Sequence, residues 1–359
     1  MSYPFLGLGF NSWTQKFSRG GPPAVIQALL EYVTTTVSSF TLLSTGTVDY
    51  EVDWGDGTTE SLTTNNPTHT YSSAGEYTIK VTPAEGSTYR PYFNNAVSDT
   101  SIASISGAGG SQLGTILSDA WEGASNMTSF SSDIDTSSVT NFTYTWRNCA
   151  GLTSFPQLDV SSGTDFSSAW RDCSGLTSFP LLNTSSGTNF TYTWRFCSGL
   201  TSFPQLDTSS GTNFSGAWNN CTGLTSFPLI DTSSGTGFFQ TWYGCTGLTS
   251  FPQLDFSSGT SGFYEAWYGC SGLTSFPANM FDTTGTFAFS SALSYAFDNC
   301  SLTAQSIENI LVSLDTNGTS NITLGILGGS NAGYSTWTAA AQTALTNLQG
   351  KGWTVTYNA

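Results

Sequence analysis

The chain has 359 residues, 9% of them charged and 14% aromatic, and 8 basic against 24 acidic side chains leave a formal net charge of −16. That length allows two or three domains with a sizeable core. The missing basic footprint argues against nucleic acid or anionic lipid as partner, the aromatic content argues against disorder, and no apolar run is long enough for membrane insertion.

Residues 1–21, MSYPFLGLGFNSWTQKFSRGG, are rich in aromatics and glycine and show no clear period. They lack a basic region followed by an apolar stretch and a small-residue cleavage site, so export by the usual secretory signal is not expected. Pro22 and Pro23 then open AVIQALLEYV, where Val25, Ile26, Leu29, Leu30 and Val33 make one stripe of an amphipathic helix. The helix would either dock on its own domain or mediate assembly. Residues 1–37 are therefore expected to be an attachment segment that joins the chain to a larger assembly.

Residues 38–100 read as strands and turns. Val48, Tyr50, Val52 and Trp54 alternate with Asp49, Glu51 and Asp53, as in a half-buried strand. Gly55-Asp56-Gly57 follows as a tight turn. His69-Thr-Tyr71 and Glu76–Val81 bring a further strand pattern around a Ser-Ser-Ala-Gly turn. The string VDWGDGT…HTYSSAGEYTIKV resembles PKD-type immunoglobulin-like domains, which implies a β-sandwich; missing strands would come from residues 36–45 and 88–95. His69 reads as a structural histidine. Asp53 and Asp56 are the weak candidates for a calcium site, since hard oxygens suit that ion; the alternative is that they fasten the turn.

From Trp121 to Cys300 one phrase recurs. Trp146, Trp170, Trp194, Trp218 and Trp242 stand 24 residues apart, with Trp267 after one inserted residue, and Cys149, Cys173, Cys197, Cys221, Cys245 and Cys270 keep step. Eight units are anchored by these tryptophans together with Trp121 and Phe297. A period of this size predicts stacked coils that bury their apolar faces against one another. Leu152, Phe155 and Leu158 mark a short extended segment, and Phe214, Ala217, Trp218 and Cys221 have the spacing of two helical turns. The cysteines are expected to be a column of buried, reduced thiols.

The unit resembles the leucine-rich-like repeats of BspA-like surface proteins, close to "DTSNVTNMSYMFYGCSSLTSL", with Phe for Met, Trp for Phe and an added Pro. A WGDG-type domain, the RPYFNN string at Arg90–Asn95 and then such repeats is also that family's order. The resemblance implies an α+β chain: a PKD-like β-sandwich followed by a β/α solenoid over residues 101–300. Residues 301–359 are expected to be a C-terminal cap, with helices at Ala304–Leu314 and Thr336–Leu348 and a strand at Trp353–Tyr357. The tail phrase ENILVSLDTNG…GWTVTYNA resembles ends of bacteriophage repeat proteins, which implies a virion protein released by lysis.

No catalytic constellation stands out. His69 is the lone histidine, no nucleophile elbow appears, and no phosphate-cradling or cofactor-binding glycine loop is present. Asp159, Asp207, Asp231 and Asp255 form a column, interrupted by Asn183, that would serve either a turn or, if coils pair them, glycoside hydrolysis. The informative positions vary while the frame stays fixed. Tyr144, Arg147, Arg171, Tyr192, Arg195, Tyr243 and Tyr268 flank successive tryptophans, and Arg and Tyr are favoured at interfaces. Their alternative role is an Arg file lying over the core.

The expected function is a non-enzymatic, cofactor-free phage fibre, decoration or adhesin subunit on the virion surface. It would touch other virion proteins through its N-terminal segment and host glycan or protein through the repeats. A bacterial cell-surface adhesin and a polysaccharide depolymerase are the alternatives.

Overall fold

The computed structural model describes residues 29–94, 100–107 and 113–359. The N-terminal part is β-rich, and the remainder contains little helix. Strands β1 (Leu30–Thr34), β3 (Tyr50–Asp53), β4 (Thr59–Leu62), β6 (Thr78–Pro83), β7 (Ile102–Ser106) and β8 (Ser129–Phe130) make one sheet in the order β4-β3-β6-β1-β7-β8. Strands β2 (Val37–Thr41) and β5 (Thr68–Gly75) pair separately. Val48, Tyr50, Val52 and Trp54 all point inward, as their alternation predicts.

The expected helix at AVIQALLEYV is not supported where it can be followed. Its first residues lie outside the described ones, and Leu30–Thr34 is a strand that pairs with both β6 and β7. Leu30, Tyr32 and Thr34 face the core at period two. Sheet pairing on both sides thus overrides a helical stripe that Leu29, Leu30 and Val33 only mimic. The β-domain therefore begins upstream of the expected boundary at residue 38.

The β-domain runs directly into the repeats. β7 pairs in parallel with β8, which belongs to the first repeat, so what would be an open sheet edge is covered by the next element. Beyond it, each repeat hydrogen-bonds its successor. Phe142, Tyr144, Trp146 and Asn148 donate their N–H groups to Asp165, Ser167, Ala169 and Arg171 of the following repeat. The intervening Thr145, Arg147 and Cys149 donate within the repeat to the carbonyl three residues back.

That alternation corrects the second expected element. The Phe-x-x-x-Trp-x-x-Cys segment is a run of tight turns, not two turns of α-helix. Two residues in each run are left-handed, as at Tyr144 (φ 56°) and Asn148 (φ 61°), which breaks any helical ladder. Turns and helix both bring Phe, Ala, Trp and Cys inward at three- and four-residue steps, so apolar spacing alone does not separate them. Nor does the Leu-Thr-Ser-Phe segment form regular strand after β8; parallel bridges such as Asn141↔Asp165 link successive repeats instead.

Inside the stack, neighbouring indoles lie 5.2–6.1 Å apart from Trp121 to Trp267, and Phe297 closes the column at 4.9 Å from Trp267. A parallel column of phenylalanines from Phe130 to Phe276 meets them edge to face, an arrangement suited to the ring quadrupole. From Trp146 to Trp267, the six indole N–H groups find no nitrogen or oxygen acceptor among the described residues. Each leaves a buried donor unsatisfied at a cost of about 1–3 kcal/mol within a side chain whose complete removal costs about 3–5 kcal/mol; ring packing wins.

Close approach is enforced where each repeat crosses the last. A Cβ on Gly175 would stand 2.3 Å from the Ala150 carbonyl oxygen, so only glycine fits. The thiols complete the contact. All seven cysteines are buried thiols, and each S–H reaches the carbonyl of the tryptophan one repeat earlier, at 3.0 Å for Cys173 and Trp146 and 3.3 Å for Cys149 and Trp121.

After the repeats the chain forms two helices and two strands, the helices close to the expected ranges. α1 (Ala304–Asn317) is capped by Thr303 and ends at left-handed Gly318. Its Ser306, Asn309, Ser313 and Asn317 form a polar stripe that bonds the backbone of Phe276, Phe281 and Thr284. β9 (Thr323–Ile326) then takes the place of a further repeat, Gly325 accepting from the Phe297 N–H. It pairs with β10 (Thr354–Tyr357), against which α2 (Ala339–Gly350) packs.

Burial pushes the column thiols up, Cys270 to about 12, and it raises Cys197 well above the ordinary thiol range. A thiol whose pKa is raised by folding stabilises the fold fully below its unfolded pKa of about 8.5, and that contribution is lost as pH climbs towards the folded value. The melting temperature is therefore expected to be flat near neutrality and to fall progressively above about pH 9. The Cys197→Ser variant keeps a donor but does not titrate, and its alkaline slope should be shallower. Thermal melts between pH 7 and 11 read both effects, and a flat profile would contradict the buried-thiol account.

Candidate functional site

Each turn run projects three columns onto one face: the residues two before, one after and two after the tryptophan. The two outer columns are left-handed in every one of the eight repeats, from Asp119 and Gly123 to Tyr295 and Asn299. Asn148, Asp172, Asn220, Gly244, Gly269 and Asn299 are residue types that tolerate this conformation. Asn, Asp or Gly two residues after seven of the eight anchors, with Phe196 the exception, is the sequence signal that distinguishes turns from helix. The column two before the anchor holds Tyr144, Ser168, Tyr192, Gln240, Glu265 and Tyr295, which adopt it less readily. Backbone strain is thus stored along the face that varies most.

The middle column reads Glu122, Arg147, Arg171, Arg195, Asn219, Tyr243, Tyr268 and Asp298. All seven residues singled out from sequence lie on this face, and none is fully buried. Their surroundings divide them. Arg147 bonds Glu122 at 2.9 Å and lies over the Tyr144 ring. The Glu122 side chain is only 4% exposed; burial raises its pKa and the Arg147 charge lowers it. Arg171 pairs with Asp172 at 3.1 Å, the carboxylate of its own repeat.

Arg195 differs. It lies 5.0 Å over Tyr192 and 4.7 Å over Phe196, and no carboxylate pairs with it among the described residues. A guanidinium between two aromatic faces keeps its planar donors for an external acceptor. Two repeats further on the column turns aromatic, with Tyr243 and Tyr268 stacked at 5.1 Å. The face is thus cationic at Arg195 and aromatic towards the C-terminal cap.

The other candidates are engaged in turns. Asp53 accepts from the Gly55 N–H at 2.9 Å. Asp56 accepts from both the N–H and hydroxyl of Thr58 and bonds His69 Nε2 at 2.8 Å, contacts that hold its carboxyl at about 2. His69 itself stacks on Trp54 and meets Tyr71 edge to face, while the Tyr71 hydroxyl reaches the Trp54 carbonyl. The WGDG and HTY motifs are thereby one packed unit. Among the described residues no three His, Cys, Asp or Glu side chains gather as metal ligands. In the aspartate column, Asp159, Asp207 and Asp231 each accept from the N–H and hydroxyl of a serine two residues on, Asp255 accepts from Ser257 N–H, and Asn183 does the same for Ser185. An amide can replace the acid because the role is to accept hydrogen bonds. These serine contacts also lower the pKa of Asp159 and Asp231.

Removing Arg147 would strand the buried Glu122 carboxylate, so Arg147→Ala is expected to cost about 2–3 kcal/mol. Arg195→Ala, which breaks no ion pair, should cost under about 1 kcal/mol. Denaturant unfolding of the two variants measures the difference, and equal losses would contradict this division.

No curated protein and no solved structure matches this chain. Residues 24–89 match the model of the PKD domain family, and the N-terminal part of the chain is accordingly a PKD domain.

Proposed function

We propose that this chain is a non-enzymatic structural protein of a bacteriophage particle: a fibre, capsid decoration or adhesin subunit displayed on the virion surface. In this reading the repeats are a leucine-rich-like solenoid of the BspA-like type, with the β-domain at one end and the C-terminal cap at the other. The residues ahead of β1 hold it to neighbouring virion proteins, and the face carrying Tyr144, Arg147, Arg171, Tyr192, Arg195, Tyr243 and Tyr268 meets host glycan or protein. The observation that carries the reading is the contrast between core and face. Trp, Cys and Phe repeat almost without change, while the columns beside them pass from acid through arginine to tyrosine. A frame held constant under a chemically graded surface suits recognition. Arg195, without an acidic partner and set between two rings, is where that surface is most ready to take a ligand.

The likeness of the repeat phrase to surface proteins favours a bacterial cell-surface adhesin as the second reading. Electron microscopy of the native assembly, with mass spectrometry to locate the chain, decides between them. The virion reading expects density for the repeats on a capsid or tail; a chain found free or on a cell envelope would overturn it.

A further inference from the structure

Towards the C-terminal end of the variable face, a cleft of about 380 Å³ opens between the last three repeats and the residues that follow β9. Tyr243, Tyr268 and Tyr295 supply its aromatic walls, and Glu265, Asp298 and Asn299 its polar groups. Among the described residues no basic side chain lines it. Asp298 is 7% exposed, yet its charge is met by no cation among the described residues; Oδ1 accepts only the Leu327 N–H, at 2.7 Å. Burial holds this carboxyl above its ordinary range. Glu265 accepts from Gln240 Nε2 at 2.6 Å and likewise has no basic partner. Tyr295 stands half-exposed at the rim, edge-on to Tyr264.

Elsewhere the same column handles its acids differently. Glu122, the equivalent of Asp298 in the first repeat, is neutralised by Arg147 one repeat on. Asp298 stands in the last repeat, and the chain past it supplies Leu327 and Gly328, neither of which can neutralise it. Two carboxylates among three phenol rings repel an anion. The rings also make a poor shell for a hard metal ion, which calls for several oxygen ligands. An organic ammonium group satisfies both features, because aromatic faces attract such cations and carboxylates take their N–H donors or their charge.

We propose that this cleft binds an organic ammonium group carried by the molecule that the face recognises. The inference rests on the reading of the face as a binding surface and gives its C-terminal end a ligand class opposite in charge to that suited to Arg195. A single ligand bearing both an amine and an acid would span the two positions.

The test uses the full-length protein and three small probes followed by saturation-transfer NMR: ethanolamine, choline, and choline's neutral isostere 3,3-dimethylbutan-1-ol. Saturable binding of the ammonium probes is expected, at least tenfold tighter than the isostere. Glu265→Gln keeps an acceptor for Gln240 and should weaken choline at least fivefold, as should Tyr268→Leu; Arg195→Ala should leave it unchanged. Equal binding of the neutral isostere, no saturable binding of either ammonium probe, or an unaltered Glu265→Gln variant would each overturn the proposal. Attachment of the native particle to host cells, compared for wild type and Arg195→Ala, reports separately on the face. Arg195-dependent attachment with no ammonium binding sinks the cleft and leaves the face reading standing.

Discussion

Every second N–H around each tryptophan is given to the next repeat, and the rest of the structure depends on that division of hydrogen bonds. An α-helix would spend all its N–H groups within the segment and present only side chains to its neighbour. Here half of them run along the stack, as in Phe142, Tyr144, Trp146 and Asn148. Buried backbone polar groups are thereby satisfied without regular strand. The indoles are brought within stacking distance, and the thiols find the carbonyl of the preceding tryptophan. The backbone can make the alternation only by turning left-handed twice per repeat, and those turns form the variable face.

The same constraint explains both ends. A stack that donates along its axis leaves unpaired groups at its last repeat. β9 accepts from Phe297, and the polar stripe of α1 satisfies the backbone of Phe276 and Phe281. At the other end β7 and β8 join the first repeat to the sheet of the PKD domain. The closure is imperfect in one respect: Asp298 is left without a cationic neighbour of the kind that Arg147 gives Glu122. Termination of the repeat thus creates the acidic, aromatic cleft.

Much of this was legible in the residues. Strict alternation over Val48–Trp54 reads as a half-buried strand because a period of two belongs to no other element. The 24-residue recurrence exposes the repeating core, and the apolar stripe from Ala304 to Leu314 reads as the helix that α1 carries on to Asn317. Two features were not legible. Leu29, Leu30 and Val33 fit a helical stripe, and only pairing with β6 and β7, distant in sequence, makes Leu30–Thr34 a strand. In the repeats, a chain of turns and a short helix bury the same positions. The Asn, Asp and Gly residues two after every tryptophan of the column but Trp194 carried the distinguishing information, in backbone preference rather than hydropathy. The site was half visible: composition picked out the Arg and Tyr positions, while the lone condition of Arg195 and the missing partner of Asp298 depend on contacts one repeat away.

If each repeat bonds only its neighbours, a whole unit can be removed and the stack will close again. Deleting residues 171–194 joins Trp170 to Arg195 and restores the 24-residue register, whereas deleting residues 183–194 leaves half a repeat. Unfolding of both chains, followed by near-ultraviolet circular dichroism and tryptophan emission, tests the account most directly. It predicts a cooperative transition for the first, with indoles still buried and a melting temperature lowered by a few degrees, and no such transition for the second. Loss of the tryptophan signature on removing the whole unit, or equal tolerance of the half unit, would contradict it.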